Sequence, residues 1–221
     1  MNGLKDRLLD ILLFPVKWYE RLTDKKPALY AGILLIGAAD LLLPDVSGVF
    51  RQLFHGKPEN AIYFNAVAFA LMIVLLGTID VIFVSVPLFD FFKFLKKKEE
   101  AGLASLEEKP EITPHIASHV KVMKVYLLSQ IYIFPVSMLL YFLFWSHVKP
   151  DSPAWMQSLL LITFLLTMIW TAAIITRGIN SLFRFIPIFG KLTFIIVFTW
   201  YYLFGIVFDE QIMYWLLKIF R

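Results

Sequence analysis

Cysteine is absent from this chain of 221 residues, and charged residues are scarce. The absence of cysteine excludes disulfide bonds, thiolate metal sites and cysteine nucleophiles. Charged residues make up 17% of the chain, against about 25% in an average soluble domain. Hydrophobic residues reach 59%. This composition excludes an ordinary soluble domain and predicts an integral membrane protein.

Catalytic signatures are also missing. The chain contains no G-x-S-x-G motif, no glycine-rich phosphate loop and no paired acidic motif of the kind that membrane phosphotransferases use. We therefore expect a protein that is not an enzyme, has no cofactor and has no nucleic-acid partner.

Long apolar runs predict the fold. A hydrocarbon core of about 30 Å requires roughly 20 apolar residues in a helix. The runs predict an all-α membrane bundle of five transmembrane helices within 28–209, with spans near 28–47, 61–86, 122–147, 154–176 and 191–209. The second run stays largely apolar to Leu95, so one helix of about 50 Å must tilt, bend at Pro87 or project into the cytoplasm.

The distribution of Lys and Arg predicts the orientation. Most of the 21 basic residues fall in 1–27, 88–121 and 177–190 or beside them, which places the N-terminus in the cytoplasm and the C-terminus outside. Residues 4–22 carry apolar side chains on one helical face, so 1–27 is predicted to hold an amphipathic helix lying in the cytoplasmic headgroups. Residues 210–221 are expected to form an interfacial tail on the outer surface.

Basic residues beside the membrane are candidate contacts for lipid or for a protein partner. The predicted cytoplasmic loop 88–121 is interpreted as an anchor to anionic headgroups followed by a solvated linker, with a specific protein-docking site as the alternative. Residues RGINSLFRFIPIFGK (177–191) predict a re-entrant or interfacial elbow that holds lipid phosphates. The candidate contact residues are Lys96, Lys97, Lys98, Arg177, Arg184 and Lys191.

Asp40 is a carboxylate inside the first predicted span. Burying it costs at least about 2.5 kcal/mol on insertion scales, so an ionised Asp40 needs a partner or water. We expect it to share hydrogen bonds with Asn65, Gln130 or Ser129, or to open towards outer water near Pro44. An ion or proton relay at Asp40 is the alternative.

Asp80 is an acid within the second predicted span. Helix rise predicts that it lies about 15–20 Å from Asp40 in depth, too far for a carboxylate pair. Asp80 and Asp90 are expected to pair with Lys93, Lys96 or Arg184 at the cytoplasmic face.

His115 and His119 are spaced i,i+4 at the start of the third predicted helix. This spacing can bind a divalent metal, but no glutamate follows His115 and no third ligand is near. Both are interpreted as interfacial histidines, and no metal site is predicted.

Two segments carry a resemblance to a known family. LFPVKWYERLTDKKPALYAGILLIGAADLLLP (13–44) is an amphipathic aromatic segment followed by a Lys-Pro entry to the first span. RGINSLFRFIPIFGKLTFIIVFTWYYLFGI (177–206) is a basic, proline-containing elbow before the last span. With five spans, N-in and C-out, the chain resembles short bacterial members of the Yip family (Ypt/Rab-interacting membrane proteins).

Together these patterns predict a membrane-organising, trafficking-like or partner-binding scaffold, located in a bacterial inner membrane. Its expected partners are membrane lipids with anionic headgroups on the cytoplasmic side, and a protein partner or a second copy. The alternatives are a small transporter or channel with Asp40 as its polar centre, and an anchoring subunit of a larger membrane complex.

Overall fold

A computed structural model describes residues 9–41, 59–104, 117–148 and 151–207. Every regular element within these ranges is helical, which confirms the predicted all-α class for this part of the chain. The elements are α1 (Val16–Glu20), α2 (Pro27–Leu41), α3 (Glu59–Ala104), α4 (His119–Leu143), a 3₁₀ turn (Trp145–His147), α5 (Ala154–Phe183) and α6 (Pro187–Val207).

Four of the described helices are long and apolar enough to cross a membrane. They are Asn65–Gly102, His119–His147, Ala154–Phe183 and Pro187–Gly205. The four long apolar helices indicate a membrane location. The helix at the first predicted span is a shorter apolar helix over the described residues Pro27–Asp40, and residues 42–47 of that span lie outside the described ranges.

Helix α3 is one continuous helix of 46 residues that contains Pro87. It measures about 69 Å, more than twice the thickness of a hydrocarbon core of about 30 Å. Within the predicted loop 88–121, the chain is helical to Ala104 and again from His119, and residues 105–116 lie outside the described ranges. The charged stretch after Pro87 consists mainly of good helix formers, and Lys96 lies 3.9 Å from Glu100 one turn later.

The N-terminal segment is not a single amphipathic helix. Residues 9–13 are helical, Phe14 has a φ of 65°, and α1 begins after Pro15. Proline has no N–H and disfavours the helical conformation of the residue before it, which explains the break. The described part of this segment docks on α5, where the hydroxyl of the fully buried Tyr19 donates to the Ile174 carbonyl at 3.3 Å. Burial raises the pKa of Tyr19, which keeps this hydroxyl protonated.

The predicted elbow over 177–191 is much shorter than expected. Helix α5 continues through Phe183, and only residues 184–186 form the turn to α6. Arg184 ends α5 in the left-handed conformation with a φ of 51°. Pro187 opens α6, where its missing N–H costs no helical hydrogen bond.

Basic residues and large buried side chains lie together at one end of the bundle. We call this the basic end and define it by Lys96, Lys124 and Arg177. Lys124 is buried and donates to the carbonyls of Thr23 (2.6 Å) and Lys25 (2.7 Å), which ties α4 to the chain entering α2. The fully buried side chains include Tyr19, Phe92, Phe183, Val122 and Val125.

Two glycines set the distance between α2 and α3. A Cβ atom built on Gly37 would lie 2.9 Å from the Gly77 nitrogen, and one built on Gly77 would lie 2.9 Å from the Gly37 nitrogen. Each would also clash with a carbonyl oxygen of the facing helix, Ile73 or Ile33. The backbones therefore touch directly, as small residues allow in membrane helices, and the contacts are those of antiparallel helices.

Candidate functional site

A cavity of about 350 Å³ lies among α2, α3, α4, α5 and α6. Most of its wall is apolar and aromatic, from side chains such as Leu35, Ile36, Phe134, Met168 and Phe204. Its polar lining residues are Asp40, Asp80, Tyr126, Gln130, Ser137 and Tyr201. An apolar cavity of this size with a few convergent polar groups is typical of a site for a small ligand.

Asp80 is held from the neighbouring helix α4. The Tyr126 hydroxyl lies 2.8 Å from both carboxylate oxygens of Asp80 and donates to them. Both side chains are buried, Asp80 with 7% of its surface exposed and Tyr126 with 3%. A buried acid is stabilised by such a donor, since hydrogen bonds to a charged group are stronger than neutral ones.

The expected partnership of Asp80 with Lys96 was wrong. The two residues are about 24 Å apart along α3, beyond the reach of their side chains. Lys96 instead donates to Glu99 at 2.6 Å and to the Arg184 carbonyl at 3.2 Å. Asp90 lies 3.7 Å from the His119 ring nitrogen.

A second polar contact lies one helical turn farther along α4. The Gln130 amide donates to the Tyr201 hydroxyl on α6 at 3.1 Å. The Tyr126 and Tyr201 rings meet edge to face with centroids 6.4 Å apart. Because residues four apart share one helical face, α4 presents Tyr126 and Gln130 to the same side of the cavity.

Asp40 lines the same cavity as Asp80. The contacts of Gly37 with Ile73 and Gly77 fix the register of α2 against α3, and this register separates the two acids by about 9–15 Å along the helix axes. The separation is shorter than the 15–20 Å expected from sequence. The two acids stand at different depths of one cavity rather than facing each other as a pair.

The three residues expected to bond to Asp40 lie in different surroundings. Gln130 lines the cavity with Asp40. Ser129 donates instead to the Tyr126 carbonyl of its own helix at 2.7 Å, as serine often does within helices. Asn65 is half-buried near the start of the described part of α3 and is not among the described residues that line the cavity.

Some of the predicted lipid-contact residues are bonded within the protein, and the others are exposed. Lys96 is 8% exposed and Arg177 is half-buried, donating to the Asp10 carboxylate and to the Leu9 carbonyl. Both side chains are engaged within the protein. The other candidates are exposed: Lys97, Lys98, Arg184 and Lys191.

His119 contacts Phe89, with ring centroids 3.6 Å apart, in addition to Asp90. His115 lies outside the described residues. Within the ranges that the structure describes, no group of three His, Cys, Asp or Glu residues could hold a metal ion.

Sequence reasoning missed three residues of consequence: Tyr126, Tyr201 and Glu99. The i,i+4 spacing of Tyr126 and Gln130 within an apolar helix could have indicated a polar face. Glu99 lay in the supposed solvated loop, but it is 3% exposed and its carboxylate accepts from the Ile186 nitrogen at 2.7 Å.

Comparisons of the chain with protein-family models, with curated proteins and with solved structures found no match. The geometry of the cavity is therefore the basis for any assignment. Two carboxylates on a mostly apolar wall can attract a cation or exchange a proton. The tyrosine hydroxyls and the glutamine amide on the same wall can both donate and accept hydrogen bonds.

Proposed function

We propose that the protein is a small membrane transporter or channel that binds a proton or a small monovalent cation in the cavity lined by Asp40 and Asp80. The observation that carries this proposal is that Asp40 on α2 and Asp80 on α3 line one cavity. Acids within membrane helices are costly and commonly mark ion or proton pathways.

The spacing of the acids supports passage rather than a single fixed site. Asp80 stands nearer the basic end and Asp40 lies about 9–15 Å farther along the axis. Tyr126 and Gln130 on α4 and Tyr201 on α6 supply hydroxyl and amide groups to the same cavity. A cation or proton that enters at one acid therefore meets polar groups on the way to the other.

Flux into proteoliposomes tests this function. Purified protein would be reconstituted, and pH-driven or ion-driven uptake would be compared for wild type, Asp40→Asn and Asp90→Asn. We expect wild-type flux and a loss of at least about tenfold in Asp40→Asn, because asparagine neither titrates nor balances a cationic charge. Asp90 is exposed and outside the cavity, so Asp90→Asn is the matched control and should retain the flux.

No flux from the wild type, or equal flux from Asp40→Asn, would contradict the transport proposal. Thermal stability of each variant in detergent separates loss of the site from loss of the fold. An Asp40→Asn protein that remains folded and inactive locates the function at the carboxylate.

A membrane-organising scaffold is the second candidate, and one observation favours it. Helix α3 extends far beyond the length needed to cross a bilayer and carries the exposed Lys97 and Lys98 on its projecting part. This part could contact anionic headgroups, a protein partner or a second copy of the chain. The scaffold candidate also includes three expectations from the sequence. They are the resemblance to the Yip family, a non-enzymatic role and a location in a bacterial inner membrane.

A further inference from the structure

A second concave site lies at the basic end, away from the acidic cavity. This groove is an open space of about 420 Å³ between α5, α6 and the N-terminal segment. Ala173 and Phe194 form part of its apolar wall, and Leu13 and Val16 close one side. Polar side chains from the last two turns of α5 form the rest.

The polar wall contains hydrogen-bonding atoms with no partner. Thr176 Oγ1, Asn180 Oδ1 and Ser181 Oγ are each buried and lack a hydrogen bond within the described residues. All three residues line the groove, and Thr176 is 8% exposed. A buried polar group without a partner costs about 1–3 kcal/mol, so three in one groove indicate a polar ligand that satisfies them.

The atoms without a partner specify which hydrogen-bonding groups that ligand must carry. The Asn180 amide nitrogen already donates to the Gly190 carbonyl at 3.1 Å, which leaves the amide oxygen as an acceptor. An acceptor requires an N–H or O–H donor from the ligand, and the two hydroxyls can either donate or accept. Arg177, which also lines the groove, is paired with Asp10, so the site does not present an uncompensated positive charge.

The position of the groove specifies the rest of the ligand. Arg177 follows the apolar run of α5, so this polar wall lies at the boundary between hydrocarbon and water. The apolar wall at Ala173 precedes it by one turn. A ligand that fits has an apolar body within the bilayer and a polar head at its surface, which is the chemistry of a membrane lipid.

We propose that this groove binds a glycerophospholipid whose headgroup carries N–H or O–H donors. Thr176, Asn180 and Ser181 hydrogen-bond to the headgroup. The proposal is independent of ion movement through the acidic cavity, because the two sites share no lining residue.

Lipid retention by the purified full-length protein tests this site. Delipidated protein in mild detergent would receive an equimolar mixture of dioleoylphosphatidylglycerol, dioleoylphosphatidylethanolamine and dioleoylphosphatidylcholine, and bound lipid would be counted by native mass spectrometry. The first two headgroups carry hydrogen-bond donors, whereas choline carries none, and all three share the same acyl chains. We expect the wild type to retain the donor-bearing lipids about tenfold over phosphatidylcholine, since two hydrogen bonds together amount to about one decade in affinity.

Substitutions in the groove test which residues cause the preference for donor-bearing lipids. Asn180→Leu removes the acceptor that requires a donor from the ligand and should abolish the preference, and Thr176→Val with Ser181→Ala should reduce it if the Asn180 variant does not fold. Thr199→Val, at an exposed position of α6, is the matched control and should behave like the wild type. Equal retention of all three lipids by the wild type would overturn the proposal, as would an undiminished preference in a folded Asn180→Leu variant.

Discussion

Tyr126 on α4 donates its hydroxyl to both carboxylate oxygens of Asp80 on α3, at 2.8 Å each. The contact joins helices that begin 60 residues apart in sequence (59 and 119), and it lies within the apolar part of the bundle. It fixes the orientation of the acid at one end of the cavity. Any role of the cavity in ion movement depends on this orientation.

Removing the Tyr126 hydroxyl should weaken both the fold and the site. We expect Tyr126→Phe to lower the free energy of unfolding by about 0.6–2 kcal/mol, since interhelical hydrogen bonds in membranes are modest in strength. Tyr141→Phe is the control, because Tyr141 is half-buried on the same helix and lies outside the cavity lining. Thermal unfolding in detergent measures the difference; equal losses in both variants would contradict a special role for Tyr126.

The glycine contact between α2 and α3 should tolerate no side chain. Gly37→Ala places a methyl against backbone atoms of α3, which cannot rotate away, and should cost about 1–3 kcal/mol of stability. Gly102→Ala is the control, because a Cβ there meets nothing within 4 Å, and it should be neutral or stabilising by up to about 1 kcal/mol. If the two variants have the same melting temperature, α2 and α3 can move apart at Gly37 without loss of stability.

Lys96 and Lys97 are neighbours in sequence, but only Lys96 should matter for the fold. The Glu99 side chain is 1% exposed and accepts from Lys96, so Lys96→Gln leaves a buried carboxylate without its cation. We expect a loss of about 3–5 kcal/mol, against no more than about 0.5 kcal/mol for the exposed Lys97→Gln. Denaturation of both variants in the same detergent makes the comparison, and similar values would refute the buried network.

The exposed lysines on the projecting part of α3 should govern association with charged membranes. Replacing Lys97 and Lys98 together with Gln should weaken binding to anionic vesicles by about 1 kcal/mol per residue while leaving the melting temperature unchanged. Vesicles of phosphatidylcholine alone provide the control surface. If binding to anionic vesicles is unaffected, the scaffold candidate loses its lipid contact.

The orientation in the membrane can be measured with single cysteines, since the natural chain has none. Lys98→Cys and Asp151→Cys both replace exposed residues, one on α3 and one before α5. The positive-inside rule predicts that an impermeant thiol reagent labels position 151 from outside and position 98 only after the membrane is opened. The reverse pattern would invert the predicted orientation.

The helices could be predicted from the sequence because apolar runs of this length have few alternatives in a bilayer. Their ends were harder to place. The segment after Pro87 looked like a solvated loop because it is highly charged, yet charge does not prevent a helix. The buried Glu99 carboxylate accepts a hydrogen bond from the Ile186 nitrogen. That contact joins positions almost 90 residues apart, so no local pattern could reveal it.

The candidate site was predicted only in part. Asp40 and Asp80 were identifiable because acids are rare in apolar spans. Their shared cavity was not, because it depends on the close approach of Gly37 and Gly77 and on where α4 and α6 place their tyrosines. Helix rise gave depths along single helices, whereas the register between helices is a property of packing.

The length of α3 has a mechanical consequence. The helix touches α2 backbone to backbone at Gly77, which makes that contact a natural fulcrum, with Lys98 about 31 Å away along the axis and Asp80 only about 4.5 Å away. A rigid tilt of about 5° about Gly77 carries Lys98 through about 3 Å and Asp80 through about 0.4 Å. Lys98 therefore lies on an arm about seven times longer than the one that ends at Asp80, so a tilt at the charged end of α3 reaches the cavity reduced about sevenfold in amplitude.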